Sequence, residues 1–174
     1  TAECSRLGIK VFPPDINLSN EQFSIESNPD QSMDIRFGLG DIKGIGSAAL
    51  TGVLAVRKEE GAYQNLEDFC KRANLEGATG GTIENLSMSG ALDSFHIDRG
   101  TLRANSHRII EVARKEKDLR DSGQSTMFDL FGAEVDVPGI ALELQPAPTN
   151  RQDILQNEKD LLGFYITEHP FQEA

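Results

Sequence analysis

Short helical segments, each bounded by a glycine or a capping residue, constrain the fold of residues 36–122 more than any other feature of this sequence. After Gly46, apolar residues recur at the three- and four-residue spacing that marks one face of a helix. These residues are Ala49, Leu50, Val53, Leu54 and Val56. Gly61 is placed to end this helix, and Asn65 is placed to cap a shorter one. Because no strand-like alternation interrupts the stretch, the sequence predicts a helical domain.

Two more helices are predicted within the same stretch. Residues 82–89 carry Ile83 and Leu86 on one face. Residues 98–120 predict one long helix, with an apolar edge and with seven basic residues around the rest of its surface. The pair Ser122-Gly123 is expected to end this helix.

The segments on either side of the helical stretch predict less regular structure. Residues 1–35 suggest an extended region, and residues 24–37 suggest a β-hairpin that turns at Asn28-Pro29-Asp30. Residues 133–150 contain three prolines and predict a linker, and residues 151–162 predict a final helix. The predicted fold is therefore mainly α, with a small β-hairpin or extended N-terminal region and a partly extended C-terminal tail.

The charge distribution limits how this chain could bind nucleic acid. The net charge of −11 over 174 residues argues against a surface that attracts nucleic acid as a whole. The acidic excess lies in the flanks, because residues 36–121 contain 13 basic and 13 acidic side chains. A charge-balanced domain that binds DNA must rely on directed backbone donors, or on neighbouring domains, rather than on a basic surface.

The cysteine, histidine and hydropathy patterns argue against a metalloprotein, a membrane protein and a secreted protein. Cys4 and Cys70 lie far apart and the three histidines are scattered, so neither a metal site nor a cofactor is expected in this chain. No apolar run approaches the roughly 20 residues that cross a bilayer, and no signal peptide is visible. These patterns predict a cytoplasmic protein with reduced thiols and no membrane partner. The chain begins at Thr1 rather than at Met, as expected of a segment of a longer protein.

The tripeptide Gly44-Ile45-Gly46 is the strongest candidate for a functional site. It separates a short predicted helix from the longer one that follows. Glycine permits a tight turn and a close approach of a ligand to the backbone, while Ile45 can point into the core. The N–H groups at the start of the second helix would face outward as anion donors, and Lys43 adds a positive charge. Lys43, Gly44, Ile45 and Gly46 are therefore predicted to contact a DNA phosphate without reading base sequence.

Other interpretations of these residues stay open. The spacing Gly44-x-Gly46-x-x-Ala49 also matches a dinucleotide-binding fingerprint, but that motif requires a preceding strand and a βαβ unit. A helix–helix turn that binds nothing is also compatible with the glycines. The basic pairs Arg57-Lys58 and Lys71-Arg72 fit either a phosphate path or an ordinary solvated helix face.

A second candidate site is the apolar segment that begins at Gln124. A position between a helix end and a proline-rich linker should be polar, yet four large apolar side chains fall within five positions here: Met127, Phe128, Leu130 and Phe131. Such a segment is typical of a peptide that docks on another protein. Gln124 would enter a polar notch, while Met127 and Phe128 would fill an apolar pocket. The alternative is that these residues fold back on the helices as a lid.

Five segments follow one another in an order that is specific to one family. They are RLGIKVFPPDIN at residues 6–17, IRFGLGDIKGIG at 35–46, SMSGALDSF at 87–95, GQSTMF at 123–128 and EKDLLGFYITEHP at 158–170. In this order they resemble the alpha subunits of bacterial DNA polymerase III, the C-family replicative polymerases. The segments are similar to the end of the fingers, the start and end of a tandem helix-hairpin-helix, the internal clamp-binding motif and the lead-in to an OB domain.

The resemblance implies a division of the chain and a set of partners. The expected parts are the end of the fingers (1–35), the tandem helix-hairpin-helix (36–97), the long helix (98–122), the clamp-binding peptide (123–132), the linker (133–150) and the lead-in to an OB domain (151–174). The implied partners are the double-stranded DNA backbone, the sliding clamp (the beta subunit) and other replicase subunits. No segment resembles the palm of the family, so this chain is expected to be non-catalytic, and Mg²⁺ would serve the parent polymerase elsewhere.

Two positions depart from the family pattern. Gly80-Gly81-Thr82 stands where the family often has basic residues, which weakens the expectation of a second phosphate contact. Met127 stands where leucine is commoner, and this volume-conserving change has a small expected cost. The alternative function is a protein-interaction module in which the hairpins serve only as scaffold.

Overall fold

The computed structural model describes residues 2–123 and 143–166, and within them the protein is mainly helical. The helices in these ranges are α1 (Ala2–Arg6), α2 (Ser47–Glu60), α3 (Leu66–Arg72), α4 (Gly80–Met88), α5 (Arg99–Ala104), α6 (Ser106–Asp121) and α7 (Arg151–Leu162). A short 3₁₀ turn at Asp93–Phe95 lies between α4 and α5. This architecture confirms the predicted fold class.

A three-stranded sheet precedes α2. The strands β2 (Ser24–Ser27) and β3 (Met33–Arg36) form the predicted antiparallel hairpin. The strand β1 (Val11–Phe12) pairs in parallel with β3, so the strand order is β1-β3-β2. The sequence did not predict β1 as a strand or α1 as a helix, because such short elements do not show a period.

The segment before Gly44 differs from the expected short helix. Residues 39–43 form consecutive turns and bends, and the Gly40 N–H donates to the Glu21 carbonyl oxygen at 2.7 Å. A Cβ at Gly40 would lie 2.9 Å from that oxygen, so only glycine permits this close contact. A helix that began at Leu39 would need the Lys43 N–H to bond the Leu39 carbonyl oxygen, but this N–H donates to the Leu161 carbonyl oxygen instead, so no helical ladder forms.

Helices α2 to α4 begin and end near the predicted residues. Gly61 follows α2, and the Asn65 side chain caps α3, as expected. Helix α4 begins at Gly80, two residues earlier than predicted. The reason is that Thr79 caps it, since Thr79 and Thr82 each accept a hydrogen bond from the other's backbone N–H in a capping box.

The predicted long helix at residues 98–122 is wrong in one respect, because it is interrupted at Asn105. Helix α5 ends before this residue and α6 begins after it. The Asn105 side chain donates to the carbonyl oxygens of Thr101 at 2.7 Å and Gln145 at 3.0 Å. It also accepts the Gln145 N–H at 3.0 Å. Such side-chain bonds to backbone groups compete with the continuation of a helix.

The last part of the predicted linker is extended and packs on α5. The N–H groups of Gln145, Ala147 and Thr149 donate, respectively, to the side chains of Asn105, Thr101 and Asp98. Every second residue of the extended segment thus bonds a side chain of one helix face, because the three side chains that accept these bonds are spaced three and four residues apart. Residues 145–149 therefore form a connection that hydrogen bonds hold against α5.

One hydrophobic core joins α2 to α6 with the turn before α2 and with α7. Its largest fully buried side chains include Tyr63, Phe69, Leu92 and Leu102. Leu162, at the end of α7, belongs to the same core. Helix α7 is therefore part of the helical domain that carries the candidate site.

Candidate nucleic-acid interface

The first hairpin, residues 42–46, makes a tight turn before α2. Gly44 has a φ of 80°, in the left-handed region that favours glycine. The Ile45 N–H donates to the Ile42 carbonyl oxygen at 3.2 Å. The Ile45 side chain is only 7% exposed, so it holds the turn against the core as expected.

The outer side of this hairpin is open to solvent. Lys43, Gly44, Gly46 and Ser47 are exposed. Helix α2 begins after Gly46, and no side chain caps its N-terminus. The first N–H groups of a helix lack partners within the helix, and the helix dipole favours an anion beside them. The structure therefore brings together the four predicted site residues at one turn, with Ile45 inside and the other three outside.

The two glycines of this hairpin have different roles. A Cβ added at Gly44 would lie 2.7 Å from the side-chain nitrogen of Asn85, and the φ at Gly44 would strain any other residue. A Cβ added at Gly46 would meet no atom within 4 Å, and its φ of −88° suits any residue. The fold therefore requires Gly44, whereas the small size of Gly46 leaves space above the N-terminus of α2.

Two other helices hold the peptide groups of Lys43. Its N–H donates to the Leu161 carbonyl oxygen of α7 at 2.9 Å. Its carbonyl oxygen accepts a hydrogen bond of 3.2 Å from the Asn85 side chain of α4. The sequence did not predict either contact, because a backbone carbonyl leaves no signal and Asn85 lies in a different helical segment.

A second hairpin, residues 75–78, repeats the geometry of the first. Gly77 has a φ of 82°, and the Ala78 N–H donates to the Leu75 carbonyl oxygen at 3.0 Å. Ala78 is buried, like Ile45 in the first hairpin. The pattern apolar-x-Gly-apolar occurs in both hairpins, and this repeat is the signal that could have located the second turn from sequence.

The second hairpin lacks the features that open the first one to an anion. Thr79 stands where the first hairpin has Gly46, and its hydroxyl accepts the Thr82 N–H at 3.3 Å. Glu76 is exposed where the first hairpin has Lys43. The N-terminus of α4 is therefore capped by its own chain and has an acidic side chain beside it, in agreement with the departure from the family pattern seen in the sequence.

The arginines of the two basic pairs have structural partners. Arg57 Nη1 donates to the carbonyl oxygens of Ile16 and Ser19 at 2.8 and 2.7 Å. Arg72 donates to both carboxylate oxygens of Asp68 at 2.7 Å. These bonds from Arg72 are the main reason why the pKa of Asp68 lies below its ordinary value. Both guanidinium groups therefore serve the fold, which favours the interpretation of these pairs as part of the helical surface.

The residues predicted to bind the clamp lie outside the described ranges. They are Gln124, Met127, Phe128, Leu130 and Phe131. Their docking role stays a prediction.

Other kinds of site find little support in the described part of the chain. No group of three or more His, Cys, Asp or Glu side chains there could hold a metal ion. Within residues 2–123 and 143–166, no helix is long and apolar enough to span a membrane. No strand follows α2 within the same ranges, so the βαβ unit that a dinucleotide fingerprint needs is not present there.

Residues 8–102, more than half of the chain, match the family described as "Helix-hairpin-helix motif". The chain belongs to this family. The match covers both hairpins and extends into α5, which agrees with the two turns seen in the structure.

This helix-hairpin-helix protein is also similar to alpha subunits of DNA polymerase III. It is 33% identical to that of Haemophilus influenzae, 34% to that of Chlamydia pneumoniae and 35% to that of Neisseria meningitidis serogroup B. Each alignment covers 97% of this chain but only 13–14% of the relative. The resemblance inferred from the ordered sequence segments is thus confirmed, and the chain corresponds to a small part of the length of these relatives.

Proposed function

We propose that this chain is the DNA-contact and sliding-clamp-binding region of a bacterial replicative polymerase, without a catalytic site of its own. Similarity to DNA polymerase III alpha subunits along 97% of the chain supports the replicative setting. The observation that carries the DNA contact is the open first hairpin, where Lys43 and the uncapped N-terminus of α2 face solvent.

The first hairpin binds one phosphate of a duplex backbone. Lys43 supplies charge and the first N–H groups of α2 supply directed donors, so the contact does not depend on base sequence. Since the chain carries a net charge of −11, one such contact gives weak binding that falls with added salt. A second tether is therefore needed to hold the polymerase on its template.

The sliding clamp provides that tether. Gln124, Met127 and Phe128 enter a pocket of the clamp, and Leu130 and Phe131 extend the contact. Burial of two large apolar side chains contributes roughly 3 to 6 kcal/mol before ordering costs, so the peptide alone also binds weakly. Two weak contacts on one chain strengthen each other, because each raises the effective concentration of the other partner.

A duplex-binding titration of the Gly46→Thr variant tests the DNA contact. Threonine at this position copies Thr79 of the second hairpin, so its hydroxyl would occupy the N–H groups offered to a phosphate. We expect duplex affinity to fall about tenfold, a difference of about 1.4 kcal/mol. Gly81→Thr, on the first turn of α4, is the matched control and should leave affinity unchanged. Equal affinity of Gly46→Thr and the parent would remove the first hairpin from the DNA contact.

A pull-down with purified sliding clamp tests the protein contact. The double variant Met127→Ala, Phe128→Ala is expected to abolish capture and to leave the thermal unfolding midpoint unchanged. Ser125→Ala with Thr126→Ala, in the same segment, is the control and should retain capture. If the midpoint falls while the double variant is still captured, the segment is a lid on the helices and the clamp proposal is wrong.

A protein-interaction module with scaffold-only hairpins is the second candidate function. The second hairpin favours it, because a capping box closes the N-terminus of α4 and the exposed Glu76 beside it would repel a phosphate. In that case the parent chain does not bind duplex at any salt concentration, although it still binds the clamp. A duplex titration of the parent at low salt distinguishes the two functions.

A further inference from the structure

We infer that α7 positions the DNA-contact hairpin, and that the buried Arg99–Glu158 ion pair makes this possible by holding α7 in place. The inference rests on the proposed DNA contact and identifies Arg99, Glu158 and Asn85 as positioning residues for it. The family match ends at Leu102, so α7 lies outside the matched residues.

The Lys43 backbone depends directly on where α7 ends. The Lys43 N–H donates to the carbonyl oxygen of Leu161, in the last turn of α7. Carbonyls in the last turn of a helix have no partner within that helix, so this bond satisfies one of them. Asn85 holds the Lys43 carbonyl oxygen from α4. The hairpin is therefore held between two helices, just before the left-handed Gly44.

A buried ion pair holds α7 one turn before Leu161. Glu158 is 1% exposed, and its Oε1 accepts from Arg99 Nη1 at 3.2 Å. Its Oε2 accepts the Ile166 N–H at 3.1 Å, which fixes the chain after the helix. A buried carboxylate that loses its cation is strongly unfavourable. Removal of Arg99 alone would therefore drive Glu158, and α7 with it, towards solvent.

Apolar contacts link the end of α7 to the segment that leads into the hairpin. Leu162 lies in the core, and the Phe164 ring lies 5.7 Å from the Phe37 ring. Phe37 directly follows β3 and begins the turns that lead to Gly44. Helix α7 and the residues after it therefore contact the hairpin segment both at its start and at Lys43.

Displacement of α7 would free the Lys43 N–H and remove one of the two restraints on the hairpin. Only part of the population would then present the hairpin correctly, and the apparent affinity for a phosphate falls by that fraction. Duplex affinity should thus depend on Arg99 and Glu158, although the proposed phosphate site at Lys43 and Gly46 includes neither.

Amide hydrogen exchange and duplex titration on the full 174-residue chain test the inference. Arg99→Leu is expected to remove the protection of the Lys43 amide and to lower duplex affinity about tenfold, as for a hairpin formed about a tenth of the time. The amide of Phe69, whose side chain is fully buried and whose N–H donates to the Asn65 carbonyl oxygen, should keep its protection. The double variant Arg99→Leu, Glu158→Leu removes the buried carboxylate together with its cation, but also the acceptor of the Ile166 N–H, so it should restore part of both the protection and the affinity.

Asn85→Ala provides a second test that leaves the ion pair intact. Asn85 is partly exposed, so this variant should fold, and loss of its bond to Lys43 should lower duplex affinity about fivefold. If Arg99→Leu leaves the Lys43 amide protected, or exposes it without loss of duplex affinity, the inference is overturned while the proposed function stands. A parent chain that does not bind duplex overturns the proposed function itself.

Discussion

The side-chain amide of Asn105 pairs with the backbone of Gln145 through two hydrogen bonds of 3.0 Å, as one β-strand edge pairs with another. This pairing explains why α5 and α6 are separate helices and why residues 145–149 lie extended on α5. Asn105 is only 6% exposed, so loss of its side chain would leave backbone groups of Gln145 unpaired in a partly buried place.

Asn105→Leu is expected to release the extended segment from α5. Two hydrogen bonds to Gln145 are lost, so the free energy of unfolding should fall by about 2 kcal/mol in urea titrations. Limited proteolysis should cut residues 143–150 faster than in the parent. Asn105→Asp keeps the acceptor for the Gln145 N–H and should lose about half as much stability. An unchanged cleavage rate in Asn105→Leu would contradict this role.

Replacement by alanine should destabilise the protein at the left-handed glycine of each hairpin, but should stabilise it at a helical glycine. Gly44→Ala and Gly77→Ala place a side chain at φ of 80° and 82°, and each should lower the free energy of unfolding by about 1 to 2 kcal/mol. Gly81→Ala, in the first turn of α4 with only an ordinary contact to Thr79, should raise it by about 0.5 kcal/mol. Urea unfolding of the three variants measures the change in the free energy of unfolding. A change in the same direction in all three would contradict the role given to the left-handed backbone.

Removal of the Lys43 charge should change the salt dependence of duplex binding. A plot of the logarithm of affinity against the logarithm of salt concentration should lose about one unit of slope in Lys43→Ala, because one phosphate contact releases about one counterion. Lys58→Ala makes the same charge change near the other end of the 14-residue α2, roughly 20 Å away, and should keep the parent slope. Equal slopes for all three proteins would place Lys43 outside the contact.

Burial of Cys70 should make the domain less stable in alkaline solution. The pKa of the thiol is raised from 9.0 to about 12, mainly because burial disfavours the thiolate and secondly because Glu67 and Glu116 lie nearby. A group whose pKa is higher in the folded state contributes its stability below the unfolded pKa and loses it as pH rises towards the folded pKa. The thiol's contribution should thus disappear between pH 9.0 and about 12.

Urea unfolding of the parent and of Cys70→Ala at about pH 8 and about pH 10.5 measures this loss. Between the two pH values the parent should lose about 2 kcal/mol more than the variant, because only the unfolded thiol is ionised at the higher pH. Tyr63, whose pKa burial raises to about 12, titrates in both proteins and cancels from the comparison. Parallel pH profiles would show that Cys70 ionises freely in the folded chain.

Local signals in the sequence were sufficient for most helices and for the first hairpin. The end of α2 at Gly61 and the cap of α3 at Asn65 were predicted, because capping and backbone preferences act within a few residues. The turn at Gly44 and the inward side chain of Ile45 followed from the same kind of signal. The order of the family segments also depended on sequence alone, and the comparison with DNA polymerase III alpha subunits confirmed it.

Tertiary structure alone decided where the predicted long helix breaks and what holds the first hairpin. The break at Asn105 depends on Gln145, and the position of Lys43 depends on Leu161 and Asn85. These bonds join segments that are distant in the chain, and several use backbone groups that nearly every residue carries. Because such bonds require no particular residue type at the backbone partner, no sequence pattern announces them, and only the packing of the helices brings their ends together.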